Sequence, residues 1–167
     1  GVMRQRVVIA LALCAEPSLV NADEPTTALD VSIQAQILDL LKRMCRERGA
    51  AVILVTHDMG VIAETADRVA VMYSGRVVEI GPVEKVVRDP RHPYTKGLMQ
   101  SIPRVGSRAE RLTQIDGAMP RLTDLPKGCA FHPRCPRAFA ECSSTKPAPR
   151  PVEGGHVACH LYQGEPA

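Results

Sequence analysis

The 167-residue sequence predicts an α/β fold in its first half, joined to a second region short of long regular elements. Helix-like and strand-like patterns alternate from residue 1 to about residue 90, which implies parallel βαβ units covered by helices. Two short apolar runs, residues 17–22 and 51–55, have the length and composition of strands inside a parallel sheet. Beyond residue 90 the character changes, because most of the 14 prolines lie there.

Taken in order, residues 17–22 read as the first strand, and Asp30 is placed to cap a following helix. In that helix Ile33, Ile37, Leu38, Leu41 and Met44 share one face, and Gly49 suits its C-terminal end. Residues 51–55 form a fully apolar strand, expected to be buried on both faces, and residues 58–66 a short helix. Residues 68–72 and 76–80 read as a hairpin turned through Ser74-Gly75. Residues 93–102 predict a helix with Pro93 in its first turn, and residues 106–126 have the weak periodicity of a surface loop. The run Lys146-Pro147-Ala148-Pro149-Arg150-Pro151 excludes a long helix near the end.

Composition narrows the function classes. The net charge of +3 is the balance of 21 basic and 18 acidic residues spread along the chain, which argues against a nucleic-acid-binding surface. Trp is absent and two Phe and three Tyr are the only aromatics, which weighs against a base-stacking platform. No apolar run reaches bilayer-spanning length and no secretory pattern opens the sequence, so a soluble, intracellular chain is expected. Gly1 already lies inside what reads as a motif, so the chain is expected to be a fragment.

Six cysteines fall into two groups. Cys14 and Cys45 sit in helical patterns and read as small buried apolar residues. Cys129, Cys135, Cys142 and Cys159 crowd the Pro-rich last quarter, where a region this poor in regular structure needs a staple. Clustered cysteines in an intracellular chain point to metal or redox chemistry more than to disulfides. Their spacing, C-x5-C-x6-C-x16-C, lets four thiolates converge on one centre, and it lacks the C-x2-C pairs of zinc knuckles. The spacing leans toward an iron–sulfur cluster, with zinc on the same thiolates, His156 or His160 replacing one ligand, or four unligated thiols as the alternatives.

The most informative stretch is Leu19-Val20-Asn21-Ala22-Asp23-Glu24-Pro25-Thr26-Thr27-Ala28-Leu29-Asp30. It sets two adjacent carboxylates at the end of a strand, where ligands of open parallel sheets lie. Adjacent side chains point apart, so one acid can face a magnesium ion and the other a water in line with a phosphoryl group. Taken singly, Asp30 is a helix cap, His57 a strand-end histidine and Asp23-Glu24 a surface acid pair.

Asp23-Glu24-Pro25-Thr26 followed by Ala28-Leu29-Asp30 resembles the Walker B and D-loop of ATP-binding-cassette (ABC) ATPases. Met3-Arg4-Gln5-Arg6 resembles the end of the signature motif, and Val55-Thr56-His57-Asp58 the switch-histidine loop. The resemblance implies the C-terminal part of a P-loop NTPase domain over residues 1–90, followed by an irregular extension over 91–167. It implies ATP and Mg²⁺ as cofactors: Asp23 helps hold Mg²⁺, Glu24 polarises the attacking water, and His57 contacts the γ-phosphate. Asp30 would act across an interface between two ATPase domains, and Gly1 would close on the partner's nucleotide beside a helix N-terminus.

Two departures stand out. Val2 occupies the place of a second signature glycine, where a branched side chain obstructs close approach to phosphate, and Asn21 puts an amide in an apolar strand. The Walker A, adenine-stacking and Q-loop segments would precede Gly1, so the isolated chain is expected to bind ATP poorly.

Arg91-His92-Pro93-Tyr94-Thr95-Lys96-Gly97-Leu98 and Gly128-Cys129-Ala130-Phe131-His132-Pro133-Arg134-Cys135-Pro136 resemble the C-terminal extension of oligopeptide and dipeptide importer ATPases. That resemblance implies a [4Fe–4S] cluster on the four clustered cysteines, with Zn²⁺ as alternative. It implies peptide uptake by a peripheral subunit on the cytoplasmic face of the membrane. Its partners would be a second ATPase subunit, two permease subunits and, indirectly, an extracytoplasmic peptide-binding protein, with no nucleic acid. The alternatives are a nickel importer ATPase, a soluble ABC ATPase, and, for the chain alone, a metal-stapled docking module.

Overall fold

The computed structural model describes residues 2–26, 30–102 and 114–163. They fold as two compact units, residues 1–66 and 67–167, so the packing boundary lies upstream of the change in composition at Pro90.

In the first unit, α1 (Val2–Cys14) leads into β1 (Leu19–Asp23), α2 (Val31–Glu47), β2 (Ala51–Val55) and α3 (Met59–Thr65). β1 and β2 pair in parallel with Leu19 opposite Ala51 and Asp23 opposite Val55, so α2 is the crossover of a βαβ unit. The apolar face of α2 is the one expected, with Ile37, Leu38 and Leu41 buried. Leu13, Val20, Leu41 and Cys45 form the core, with Ile9, Ala22, Met44 and Ala50 packed against it. Gly49 adopts φ 67° just past α2, the left-handed conformation that ends helices.

Four expectations need correction here. The apolar strands are not buried on both faces: Leu19, Val52, Ile53 and Val55 are exposed, because the described sheet of this unit has two strands and helices cover only part of it. Cys14 is exposed, whereas Cys45 is buried as predicted. Asp30 occupies the N-cap of α2, but its side chain makes no capping bond; its carbonyl accepts from Ile33 N and Gln34 N. Asn21 is exposed, so its amide is not shut inside an apolar strand. Gly1, Ala28 and Leu29 lie outside the described residues, as do residues 103–113 of the expected loop.

The second unit opens with the predicted hairpin, β3 (Arg68–Tyr73) and β4 (Arg76–Pro82). Ser74 and Gly75, at φ 47° and 76°, have the paired left-handed geometry whose twist matches antiparallel strands. α4 (Val83–Arg88) and α5 (Pro93–Ser101) follow, then a 3₁₀ turn at His132–Arg134 and α6 (Ala140–Ser144). β5 (Arg150–Val152) and β6 (Gly155–Val157), which no sequence pattern announces, extend the sheet in the order β3-β4-β6-β5. Tyr73, Tyr94 and Phe131 form an aromatic cluster with ring centroids 4.7 to 5.4 Å apart.

Candidate functional site

Parallel pairing in register brings the carboxyl ends of β1 and β2 side by side, and the expected acids and histidine leave the sheet together. Glu24 N donates to Val55 O at 2.9 Å, which carries the ladder one residue past the strands. Glu24 then turns out of the strand at φ 44°, an uncommon conformation for a residue with a side chain, and one concentrated at functional sites. Its carboxylate meets the ring of His57, two residues beyond β2, at 2.6 Å between Oε1 and Nδ1. A carboxylate only accepts, so Nδ1–H donates and Nε2 is left free to act as an acceptor. This hydrogen bond, and then the charge of Glu24, raise the His57 pKa above its ordinary value.

The surroundings hold the pair in place. Asp58 caps α3 by accepting from Gly60 N and Val61 N, at 2.9 and 3.2 Å, and these bonds hold its carboxyl below the usual range. Gln34 of α2 donates to the same carboxylate at 3.2 Å, and Thr56 Oγ1 accepts from Asp58 N. Gln5 of α1 donates to the Pro25 carbonyl at 2.9 Å, so the helix after the signature-like segment is tied to the turn that follows the acids. Asp23, Glu24 and His57 are therefore brought to one end of the sheet, and Asp23 remains exposed. Asp30 is exposed at the start of α2.

The second unit gathers the four clustered cysteines. Cys129, Cys135, Cys142 and Cys159 line one small cavity, together with His92 and His160. None is in a disulfide. Cys129 N donates to Cys142 O at 2.8 Å, which clasps two of the thiol-bearing segments. Burial, and secondarily the other cysteines, raise the thiols of Cys129, Cys135 and Cys159, the last to about 11. Among the described residues, no three His, Cys, Asp or Glu side chains stand in the arrangement of a ready metal site.

Two further buried residues, one lining this cavity and one bonded to the backbone of the first, have roles that the sequence does not announce. Glu79 of β4, 3% exposed, accepts from Arg91 N at 2.7 Å and His92 N at 2.9 Å. His92, 1% exposed, accepts from Tyr94 N on its Nδ1 at 3.0 Å and so caps α5; burial lowers its pKa to about 4. The one sequence signal for His92 is its position immediately before a proline that opens a helix.

Comparison with known proteins finds relatives along both units. The family described as the oligopeptide/dipeptide transporter, C-terminal region, matches residues 78–142. An AAA domain family, described with the AbiEii toxin of a type IV toxin–antitoxin system, matches residues 4–63. The oligopeptide transport ATP-binding protein AppD of Bacillus subtilis is 49% identical over the whole chain and 51% of its own length. The dipeptide transport ATP-binding protein DppD of the same organism is 54% identical over 96% of this chain and 48% of its own. A solved structure of cbiO1 from Clostridium perfringens, described as part of the ABC transporter complex cbiONQ, superposes with a TM-score of 0.50 and 36% identity. It covers 53% of this chain and 35% of that one.

The parallel βαβ unit, with these likenesses, defines the class of ABC-ATPase-like folds. Within that class the chain belongs to the oligopeptide/dipeptide transporter ATP-binding family, and it matches the C-terminal part of that family's members. The chain spans about half the length of the relatives it matches.

Proposed function

We propose that the protein is the ATP-hydrolysing subunit of a peptide importer, with residues 1–90 contributing catalytic groups and residues 91–167 the C-terminal extension. The contact that carries the reading is the 2.6 Å hydrogen bond between His57 and Glu24 at the end of a parallel strand pair. The peptide cargo is supported by the names of the relatives, an oligopeptide and a dipeptide transport ATP-binding protein. A second ATPase subunit, two permease subunits and an extracytoplasmic binding protein are the proposed partners, on the cytoplasmic face of the membrane. No described helix is long and apolar enough to cross a membrane, which is compatible with a peripheral place.

Asp23 supplies a carboxylate toward Mg²⁺, which when bound neutralises charge developing on the phosphates. Glu24 accepts a proton from, and orients, a water in line with the terminal phosphoryl group. His57 holds the Glu24 carboxylate through Nδ1–H and presents Nε2 beyond it. Asp30 and Gly1 complete the arrangement across a paired domain. Glu24→Gln in the full-length subunit is expected to lower kcat for ATP hydrolysis about 10²- to 10⁴-fold while nucleotide binding persists. Wild-type turnover by that variant would reject the assignment of Glu24.

The four cysteines of the extension are proposed to hold a [4Fe–4S] cluster, with zinc as the alternative. Four thiols, buried or half-buried around one cavity and none of them in a disulfide, supply the soft donors that either would take. The raised thiols are those of the ligand-free side chains, and a bound metal would hold them as thiolates. Iron, sulfide and zinc per chain after anaerobic purification decide between them.

A further inference from the structure

One feature beside the cysteine cavity is not used by nucleotide chemistry. His92 is fixed at both its backbone and its ring: its N–H donates to Glu79, its Nδ1 accepts from Tyr94 N, and its ring packs on Phe131 at 5.8 Å. Because Nδ1 is an acceptor, the ring proton belongs on Nε2. That Nε2 is buried with no hydrogen-bond partner, and the residue lines the cavity bounded by Cys129, Cys135, Cys142 and Cys159. A buried donor left unpaired keeps its full desolvation penalty, so such groups normally have an acceptor to meet. His160, on the same cavity, is already engaged on both ring nitrogens: its Nε2 donates to the Thr145 carbonyl at 2.8 Å, and its Nδ1 stands 3.7 Å from Glu141 Oε1.

We infer that His92 is a positioning residue of the four-cysteine centre, donating its Nε2–H to a sulfur of that centre. The inference rests on the reading that the four cysteines hold a metal group. A donor there stabilises negative charge on sulfur; it favours the reduced form of an iron–sulfur cluster and strengthens thiolate ligation to zinc. Capping α5 is a separate duty of the same ring, and the two are separable by substitution. His92→Asn keeps an acceptor for Tyr94 N but does not reach the cavity, whereas His92→Gln places an amide N–H near the Nε2 position.

The test uses anaerobically purified full-length protein, assayed for iron, sulfide and zinc before any comparison. If wild type carries a cluster, His92→Asn should shift its potential negative by about 59 mV, a tenfold fall in the reduced-to-oxidised ratio, with His92→Gln recovering part of it. If it carries zinc, His92→Asn should release zinc at about 10- to 100-fold lower chelator concentration, again with partial recovery in His92→Gln. A metal-loaded wild type whose potential or chelator midpoint is unchanged in His92→Asn overturns the hydrogen-bonding role alone. So does equal loss in both variants, which would mark His92 as structural. Wild type with no iron and no zinc overturns the metal reading, and this inference with it.

Discussion

His57 and Glu24 show how far one hydrogen bond sets the behaviour of a site. The imidazole is solvent-exposed, yet its pKa is raised because the Glu24 carboxylate accepts from Nδ1 at 2.6 Å. Glu24→Gln removes both the charged acceptor and its field, so the His57 titration midpoint is expected to fall toward the ordinary histidine value, read from the imidazole proton shifts against pH. A group whose folded pKa is raised contributes stability that is fully present below the unfolded pKa and is lost as pH rises through the folded pKa. The His57–Glu24 contribution should therefore weaken on the alkaline side of the ordinary histidine range, and the variant should lose that pH dependence. An unchanged midpoint in Glu24→Gln would mean that the contact does not persist in solution. Glu79 makes the contrasting case of a buried carboxylate with two fixed donors. Glu79→Ala strands the amides of Arg91 and His92, and a loss of about 3–6 kcal/mol in urea unfolding is expected, since hydrogen bonds to charged groups contribute about 1.5–3 kcal/mol each.

Among the elements, β6 depends on the absence of one side chain. A Cβ on Gly155 would stand 1.8 Å from the Ile80 carbonyl oxygen and 2.8 Å from Gly81 Cα, so β6 can lie against β4 only with glycine there. Gly155→Ala is expected to break the Glu79–Val157 and Ile80–His156 pairing at a cost of about 2–3 kcal/mol, with faster amide exchange at Ala158, whose N–H donates to Val78 O. The same elements show what the sequence made legible. α2, β2, the hairpin and α5 lay within a residue or two of their expected bounds, because each carried local punctuation: Gly49, an apolar run, Ser74-Gly75, Pro93. β5 and β6 are three residues each, β6 held by pairing with β4 and β5 by pairing with β6, so no periodicity could announce them. The acids and histidine were legible because parallel register alone carries strand ends to a common edge. Glu79 and His92 were not, because their roles come from burial by segments distant in sequence.

At the scale of the whole molecule, the two units differ in how much apolar surface they close over. In residues 67–167, Tyr73, Phe131, Val86 and Val157 are almost wholly buried, and a four-stranded sheet supports them. In residues 1–66, Met3, Val8, Leu11, Leu19 and Ile53 are all more than half exposed, on α1 and on a two-stranded sheet. Isolated two-stranded sheets are marginal in water, and contiguous exposed apolar surface marks an interaction face or an aggregation liability. Produced separately, residues 67–167 are expected to unfold in urea as one cooperative step, with fluorescence and circular dichroism transitions coinciding. Residues 1–66 are expected to bind a hydrophobic dye and to lack such a transition. The difference should narrow when Val8 and Leu11 are both replaced by Lys, since the dye loses its apolar site while the Leu13, Val20, Leu41 and Cys45 core is untouched. A sharp, dye-free unfolding transition in unsubstituted residues 1–66 would show that this half needs no further surface to complete it.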